Sequence, residues 1–408
     1  MSPRSFLLPF AAAYLLSYLF RSINAVISPE LTRELGLGPG PLGLLTSAYL
    51  VAFALVQVPA GMLLDRYGPR RIEPVLLTVA AAGAMLFAIA DRVVVFAAGR
   101  AMIGAGVAIC LMSPLKAIAT WSPRERHASL SAWVMTAGGI GALMATAPTE
   151  LALRYVHWRT LFIGLAIATL AAAVSIAWRV PDTPRPAGGS GLRKQWAGVR
   201  GVFAHSRFWW IAPLGSVVMG AFFAVQGLWS VPWLIEVNGY GRGAAARHLF
   251  LMGTVMLGGY LAMGVFATRI GRYGFGPRHL FGAGFALSVI AFAAIVSEIR
   301  GTYVWWTLYG LGASTNVLAF TVLNEGFAPE LAGRASTALN LLMFGGGFIA
   351  QWGIGLVAGA AQAHLGLATA DGLRLAFTIV LALDVLALAW FANGWRRHAV
   401  VLKVVAVA

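Results

Sequence analysis

Three basic residues lie inside apolar runs that are long enough to cross a membrane: Arg21, Arg100 and Lys116. A charged side chain at the centre of a bilayer costs at least ~2.5–3.5 kcal/mol on insertion scales, so such residues usually face a cavity and serve a function. Two interpretations stay open. The arginines bind an anionic group, bidentately where geometry allows, or backbone carbonyls and hydroxyls satisfy them and they support helix packing. Lys116 is near a span end and is able to snorkel to the surface.

Acidic residues are scarce within these runs. In the first half of the chain, the pattern predicts no carboxylate deep in the membrane that would neutralise Arg21 or Arg100. Asp384 is the acid placed well inside a predicted span, either as a structural residue or as a proton site. Coupling through Glu325 or Asp65 at the membrane edge, exchange, and uncoupled transport all stay open.

Amide and aromatic side chains form a second group of candidates, since they can orient a small solute by hydrogen bonds and stacking. Gln351 also lies in such a stretch. For Trp229 the alternative is the aromatic belt at the membrane interface. The predicted substrate-binding residues are Arg21, Asn24, Arg100, Gln226, Trp229, Asn316 and Asn340.

The composition places all of these residues in a membrane protein. Of the 408 residues, 59% are hydrophobic and 11% charged, and the mean hydropathy is +0.79, whereas about a quarter of a soluble domain is charged. Apolar blocks of about 20 residues match the thickness of a bilayer. They predict twelve spans: Phe6–Ile27, Pro41–Leu64, Glu73–Ala90, Val93–Ile118, Ala128–Ala147, Trp158–Trp178, Phe208–Leu234, Ala244–Ile270, Arg278–Val296, Thr302–Leu323, Ala335–Gly359 and Gly372–Asn393.

The membrane topology explains the formal net charge of +16. Lys and Arg concentrate in the loops on the side of the two termini, which predicts that both termini are cytoplasmic. The basic excess therefore needs no nucleic-acid partner. The single cysteine, Cys110, excludes an internal disulfide and a thiolate metal cluster. We expect no metal and no cofactor.

The longest polar stretch divides the spans six and six. It is rich in Pro, Gly and basic residues, as linkers are. The predicted division is 1–180, a cytoplasmic linker at 181–207, and 208–408. The part from Arg193 to Arg200 is either a solvated linker or a short amphipathic helix on the membrane surface.

Two pairs of loops recur at an offset near half the chain. Gly61–Arg71 resembles the stretch from Gly264 to Arg278, with a small residue at the helix end followed by arginines, Gly and Pro. Trp121-Ser122-Pro123 likewise corresponds to Phe327-Ala328-Pro329. Such repeats are typical of transporters.

These loops resemble those of the major facilitator superfamily. The motif G-x-L-a-D-r-x-G-r-r is filled by Gly61, Asp65, Arg66, Gly68, Arg70 and Arg71, and the fourth-span pattern R-x-x-x-G-x-G by Arg100, Gly104 and Gly106. In the second copy Thr268 stands near the place of the aspartate, and the fifth span lacks the family's Gly-Pro antiporter pair. The resemblance implies an all-α fold of twelve transmembrane helices in two pseudo-symmetric six-helix bundles, monomeric in a bacterial inner membrane.

The first of these loops has a physical rationale. Asp65 lies at a helix C-terminus, where the macrodipole disfavours a carboxylate, so we expect compensation from a nearby cation. The candidates are Arg66, Arg70, Arg71 and Arg126. The resemblance implies that this cluster ties the two halves together in one state and breaks as they rock. The alternative is that the arginines only enforce topology.

The resulting hypothesis is a secondary active transporter that works by alternating access. The arginines favour a small organic or inorganic anion as substrate, with the proton as one candidate coupling ion. The alternative is efflux of amphipathic drugs or metabolites by proton antiport. A membrane-embedded enzyme is disfavoured, because the sequence has no Ser-His-Asp constellation, no His pair at metal-ligand spacing and no phosphate-binding loop.

Overall fold

A computed structural model describes residues 3–182, 200–271, 276–325, 327 and 329–405. Within these ranges the chain forms helices joined by short turns, with no strand. Two predictions fall outside the described residues. They are most of the linker, including nearly all of the Arg193–Arg200 stretch, and the part of the second motif copy at 272–275.

The helices confirm the predicted twelve-span, all-α fold. Among the described residues, eight helices are long and apolar enough to cross a membrane, and Val93–Gly106 is apolar but shorter. In chain order the spans are α1 (Pro3–Leu35), α2 (Pro39–Tyr67), α3 (Pro69–Ile89), α4 (Val93–Gly106, then Met112–Trp121), α5 (Arg124–Met144, then Ala147–Ala152), α6 (Trp158–Arg179), α7 (Ser206–Val237), α8 (Arg242–Gly271), α9 (Pro277–Val296), α10 (Thr302–Ala313, Ser314–Asn316 and Val317–Asn324), α11 (Pro329–Leu365) and α12 (Thr369–Val405).

Several span boundaries follow from proline and glycine. Pro39, Pro69 and Pro277 each begin a helix, where the missing N–H has no intrahelical partner to lose. Gly68 separates α2 from α3 with a φ of 80°, a conformation that favours glycine. These residues fix the turns on either side of α3.

The fourth span is broken at residues 107–111. Two glycines bring it unusually close to its neighbours before the break. A Cβ at Gly104 would collide with the main chain of Tyr49 on α2, and one at Gly106 with the main chain of Leu76 on α3. Small residues allow membrane helices to pack this closely. The predicted uninterrupted span to Ile118 did not anticipate the break.

The seventh span alternates between α-helical and π-helical segments. π-Helical turns occur at Leu214–Val218, Val225–Trp229 and Trp233–Val237. The first and third begin directly after Pro213 and Pro232, which cannot supply a helical N–H. Such turns frequently mark functional sites.

By packing, the chain forms two compact units. Unit 1 comprises Met1–Leu192, Val225–Phe250 and Gln351–Gly372. In it α3 packs on α4 and α6, α2 on α4, and α1 on α5. Phe87 near the end of α3, Phe96 near the start of α4, and Trp158 and Phe162 near the start of α6 form an aromatic cluster whose contacting ring centroids are 4.5–6.3 Å apart.

Unit 2 comprises Arg193–Ala224, Leu251–Ala350 and Leu373–Ala408. Here α9 packs on α10. Tyr309 contacts Phe222 and Phe292 at centroid distances of 5.0 and 5.2 Å. The units reflect packing, whereas the predicted division at 181–207 concerns the sequence repeat, and that division stays a prediction.

Candidate substrate site and gating contacts

Arg21 lies near the middle of α1 and is partly exposed. Tyr14, Tyr18 and Arg21 share a helix face, since they are spaced by four and three residues. The guanidinium carbon lies 3.9 Å from the centroid of the Tyr18 ring. Tyr14 in turn meets Tyr18 edge to face at 5.0 Å. An aromatic ring thus holds the Arg21 guanidinium by a cation–π contact.

Arg100 is 1% exposed, and its donors face α1. Nη1 donates to the carbonyl oxygen of Phe20 at 2.9 Å. With the amide oxygen of Asn24 turned toward the guanidinium, Nε and Nη2 both donate to it at 3.1 Å. The Tyr49 ring centroid lies 4.9 Å from the guanidinium carbon. These contacts favour the packing interpretation for Arg100, and they assign Asn24, itself 1% exposed, to Arg100.

Gln226 and Trp229 belong to the middle π-helical turn of α7, which packs against α1 within unit 1. The main-chain oxygen of Arg21 lies 3.6 Å from where a Cβ of Gly227 would stand. The Gln351 side-chain oxygen lies equally close to that point. Because Gly227 has no side chain, the main chain at Arg21 and the side chain of Gln351 can both approach the turn that carries Gln226.

Trp229 is 1% exposed, so it is buried in the protein and does not belong to an interfacial belt. Its Nε1 donates to the main-chain oxygen of Gln351 at 2.8 Å. The Gln351 amide donates to Thr46 Oγ1 on α2 at 2.9 Å. A Cβ atom added at Gly43 would lie 3.3 Å from the indole ring of Trp229, and one added at Gly355 would lie 3.1 Å from it. Two glycines thus make the slot that Trp229 fills.

The other two predicted substrate residues, Asn316 and Asn340, lie in unit 2 and are partly exposed. Asn316 ends the 3₁₀ turn of α10, and its Oδ1 is buried without a hydrogen-bond partner in the described structure. Their role in substrate binding stays a prediction.

The cation next to Asp65 is Lys116. Its Nζ lies 2.9 Å from Asp65 Oδ1 and also donates to the Leu64 main-chain oxygen at 2.9 Å. A lysine at this helix C-terminus stabilises both the carboxylate and the unpaired carbonyl. The expectation that Arg66, Arg70, Arg71 or Arg126 compensates Asp65 is therefore corrected.

Those arginines have other surroundings. Arg70 and Arg71 each lie 3.5 Å from the carboxylate of Asp182, and Arg70 Nε donates to Ala177 O at 3.0 Å. Arg66 lies over the Tyr67 ring at 5.1 Å, and Arg126 is exposed. Gly61 faces Met112 of α4. The loop therefore ties α2 and α3 to α4 and to the chain after α6.

A second ionic cluster escaped sequence analysis. Nη2 of Arg242, at the start of α8, contacts Glu30 Oε1 on α1 and lies 3.8 Å from Glu150 Oε2. The predicted first span stopped at Ile27, but α1 continues through Pro29 to Leu35 and places Glu30 inside the helix. The signal available in the sequence was an acidic residue, Glu30, just after the predicted first span, together with Arg242 just before the predicted eighth span. All three residues belong to unit 1.

Glu73 was also missed, because the pattern placed it at the edge of the third span. It is 0% exposed in the first turns of α3. The chain therefore does bury a carboxylate in its first half, although the described contacts place it beside α4 and not beside either arginine.

The sequence matches the profile of the Major Facilitator Superfamily over residues 10–351. The protein belongs to the Major Facilitator Superfamily. A bacterial homologue of the human lysosomal transporter Spinster, solved in an inward-facing and unoccupied conformation, has the same fold, with a TM-score of 0.76 at 18% identity. The alignment covers 95% of this chain and 96% of that one.

The curated proteins that match by sequence include two transporters of small organic acids. The probable sulfoacetate transporter SauU of Cupriavidus necator is 23% identical over 171 residues, which is 42% of this chain and 40% of the relative. The probable L-galactonate transporter of Escherichia coli is 28% identical over 174 residues, 42% of this chain and 37% of the relative. The matches thus span about two fifths of the length of these relatives.

Proposed function

We propose that this protein is a secondary active transporter that moves a small organic anion across the bacterial inner membrane by alternating access. The observation that carries the proposal is the partly exposed Arg21 guanidinium, held on Tyr18 near the middle of α1. A positive group at that depth favours an anionic ligand. Both named relatives are described as transporters of organic anions, sulfoacetate and L-galactonate.

Arg21 is the preferred anion ligand because its side chain is partly exposed, whereas Arg100 is 1% exposed and lies against Phe20 and Asn24. A guanidinium with one face on an aromatic ring presents its edge donors in a plane. That arrangement matches a carboxylate or sulfonate bidentately. The turn that carries Gln226 and the Gln351 side chain approach the main chain of Arg21, and in this proposal their amide groups bind the rest of the solute.

Two sets of contacts are the proposed gates. One is Glu30–Arg242–Glu150 together with the Trp229–Gln351–Thr46 chain, which joins α1 and α2 to α7, α8 and α11. The other is the Asp65–Lys116 pair. Alternating access requires that such contacts form in one state and break in the other. Both termini then lie in the cytoplasm, on the side of the Asp65 loop.

Uptake into proteoliposomes tests the proposal. The panel contains labelled sulfoacetate and L-galactonate, an organic cation and a neutral amphiphile, each assayed by counterflow against unlabelled solute. Arg33→Gln is the matched control for Arg21→Gln, since Arg33 is an exposed arginine on the same helix. We expect saturable anion counterflow that Arg21→Gln removes and Arg33→Gln retains. Transport confined to the cation or the amphiphile would instead support efflux of amphipathic compounds.

A further inference from the structure

The carboxyl group of Glu73 is enclosed by protein. The residue is 0% exposed, and neither carboxyl oxygen has a hydrogen-bond partner in the described structure. The polar side chains that interact with it are Ser113 and Cys110, both on or beside α4. The Ser113 hydroxyl is likewise buried without a hydrogen-bond partner.

This carboxyl lies where the fourth span is interrupted. Cys110 belongs to the non-helical stretch 107–111, and Ser113 is the second residue of the helix Met112–Trp121 that follows. An apolar cluster adjoins the break, made by Ala60 and Leu64 of α2, Ile109 and Met112 of α4, and Ile72 and Leu76 of α3. An ionised carboxylate in such surroundings is disfavoured, because burial has removed its water and no cation forms an ion pair with it in the described structure. The enclosed conformation therefore favours the uncharged form of the group.

The same helix connects Glu73 to the Asp65 loop. Ser113 and Lys116 are three residues apart and share a face of Met112–Trp121. Lys116 holds Asp65 and the end of α2. A displacement of this helix that admits water to Glu73 would therefore also move Lys116 relative to Asp65. The break at 107–111 supplies a place at which such a displacement can occur.

Few charged and titratable groups surround the first turns of α3 in the described structure, and Arg159 of α6 donates to Ala88 and Ala90 at the other end of this helix. From α4 come the Cys110 thiol and Lys116, and from α2 comes Asp65. Arg70 and Arg71, on α3 itself, are directed to Asp182. On α6, the basic residue that precedes Asp182 in the sequence is Arg179, the last residue of the helix. None of these cations forms an ion pair with Glu73 in the described structure.

We propose that Glu73 is the proton-binding site that couples transport to a proton gradient. When the helix Met112–Trp121 is displaced, a carboxylate oxygen takes a proton from hydronium, which leaves as water. The O–H bond persists while Glu73 is enclosed. When the site opens to the other side, the O–H bond breaks and the proton passes to a water molecule there, which regenerates hydronium and the carboxylate. This inference rests on the proposed function and identifies its coupling ion and residue.

Asp384 provides a matched control, since it is also 0% exposed and neither of its oxygens has a hydrogen-bond partner among the residues that the structure describes. It lies on α12 near Tyr309, within unit 2. It has no described contact with the helix that bears Lys116. Asp384→Asn thus removes a buried acid without touching the proposed proton site.

The first experiment is independent of the solute. Infrared spectra of the reconstituted protein are recorded over a pH range, and the carbonyl stretch of protonated carboxyl groups is followed. Because other carboxyl groups also titrate, the band of Glu73 is identified as the one present in the wild type and in Asp384→Asn but missing from the difference spectrum of Glu73→Gln. We expect this band to titrate. A Glu73 band that never titrates, or wild-type and Glu73→Gln spectra that titrate identically, would overturn the proposal. Glu73→Asp, which keeps a carboxyl group, should move the same band and identifies it if Glu73→Gln does not fold.

The second experiment uses whichever panel anion shows counterflow. Glu73→Gln should retain counterflow within about twofold of the wild type while losing accumulation driven by a pH gradient. Asp384→Asn should retain both. Gradient-driven accumulation by Glu73→Gln at the wild-type level would refute the proton site but leave anion transport intact. Absence of anion counterflow in the wild type would instead refute the proposed function, while the infrared result would still decide whether Glu73 exchanges a proton.

Discussion

Arg21 and Arg100 begin from the same sequence environment, a lone arginine in an apolar span, and end in different surroundings. Arg100 is fully buried and donates to Phe20 and Asn24, so it joins α4 to α1. Arg21 is partly exposed and lies on the ring of Tyr18. An arginine within a membrane span therefore indicates a functional site only once the groups that surround its guanidinium are known.

Among the variants that test this difference between the two arginines, Arg21→Gln should have the largest effect on anion binding. Loss of a bidentate, charge-assisted contact should weaken anion binding about 150-fold, or about 3 kcal/mol. Thermal stability should stay near that of the wild type, because the side chain is partly exposed. Binding of a counterflow-competent anion to the purified protein measures the first quantity, and Arg33→Gln controls for the loss of one positive charge.

Arg100→Gln should show the opposite behaviour. The substitution removes the donors to Phe20 and Asn24 and leaves buried polar groups unsatisfied, at about 2 kcal/mol of folding free energy. A lower melting temperature with near-normal anion affinity in the folded fraction is the expected outcome. Asn24→Ala should change stability in the same direction by a smaller amount. A stable Arg100→Gln protein with lost affinity would place Arg100 in the substrate site.

The contrast between the two arginines could not be read from the sequence. Apolar block length identified the twelve spans, with Arg278–Val296 and Trp158–Trp178 within a residue of the observed helices. Local hydropathy does not report which carbonyl or amide a buried guanidinium meets, since Phe20 and Asn24 are about 80 positions away from Arg100. The family pattern correctly emphasised Gly104 and Gly106 as residues for close packing.

The same limit explains the error at Asp65. The neighbouring arginines were close in sequence, whereas Lys116 approaches from the next helix pair. The break at 107–111 and the π-helical turns of α7 were also missed, because both arise from packing between helices and leave no interruption in hydropathy. The turns after Pro213 and Pro232 did have a local signal, since each begins directly after a proline.

A smaller effect is expected for the ring beneath Arg21. Tyr18→Leu should weaken anion binding about fivefold, since a cation–π contact of this kind contributes about 1 kcal/mol. Tyr18→Phe keeps the ring face and should bind within about twofold of the wild type. Equal losses of anion affinity in the two variants would show that the hydroxyl group matters more than the ring. That result would contradict the proposal that the Tyr18 ring positions Arg21.

The smallest effect concerns Lys116, the third basic residue of these spans. Lys116→Gln should slow counterflow about threefold with little change in anion affinity, because the pair with Asp65 is solvent-accessible at the carboxylate. Asp65→Asn should act in the same direction. High salt should reduce the difference between variant and wild type. A large loss of affinity would move Lys116 from the gate to the substrate site.

Anion-dependent thermal unfolding tests the central claim most directly, since one melt reports stability and binding together. A ligand at about 100 times its Kd raises the unfolding free energy by about 2.7 kcal/mol. We predict that saturating anion raises the melting temperature of the wild type and of Arg100→Gln, although the latter starts lower, and leaves Arg21→Gln unchanged. An anion-induced shift that persists in Arg21→Gln and vanishes in Arg100→Gln would contradict the account.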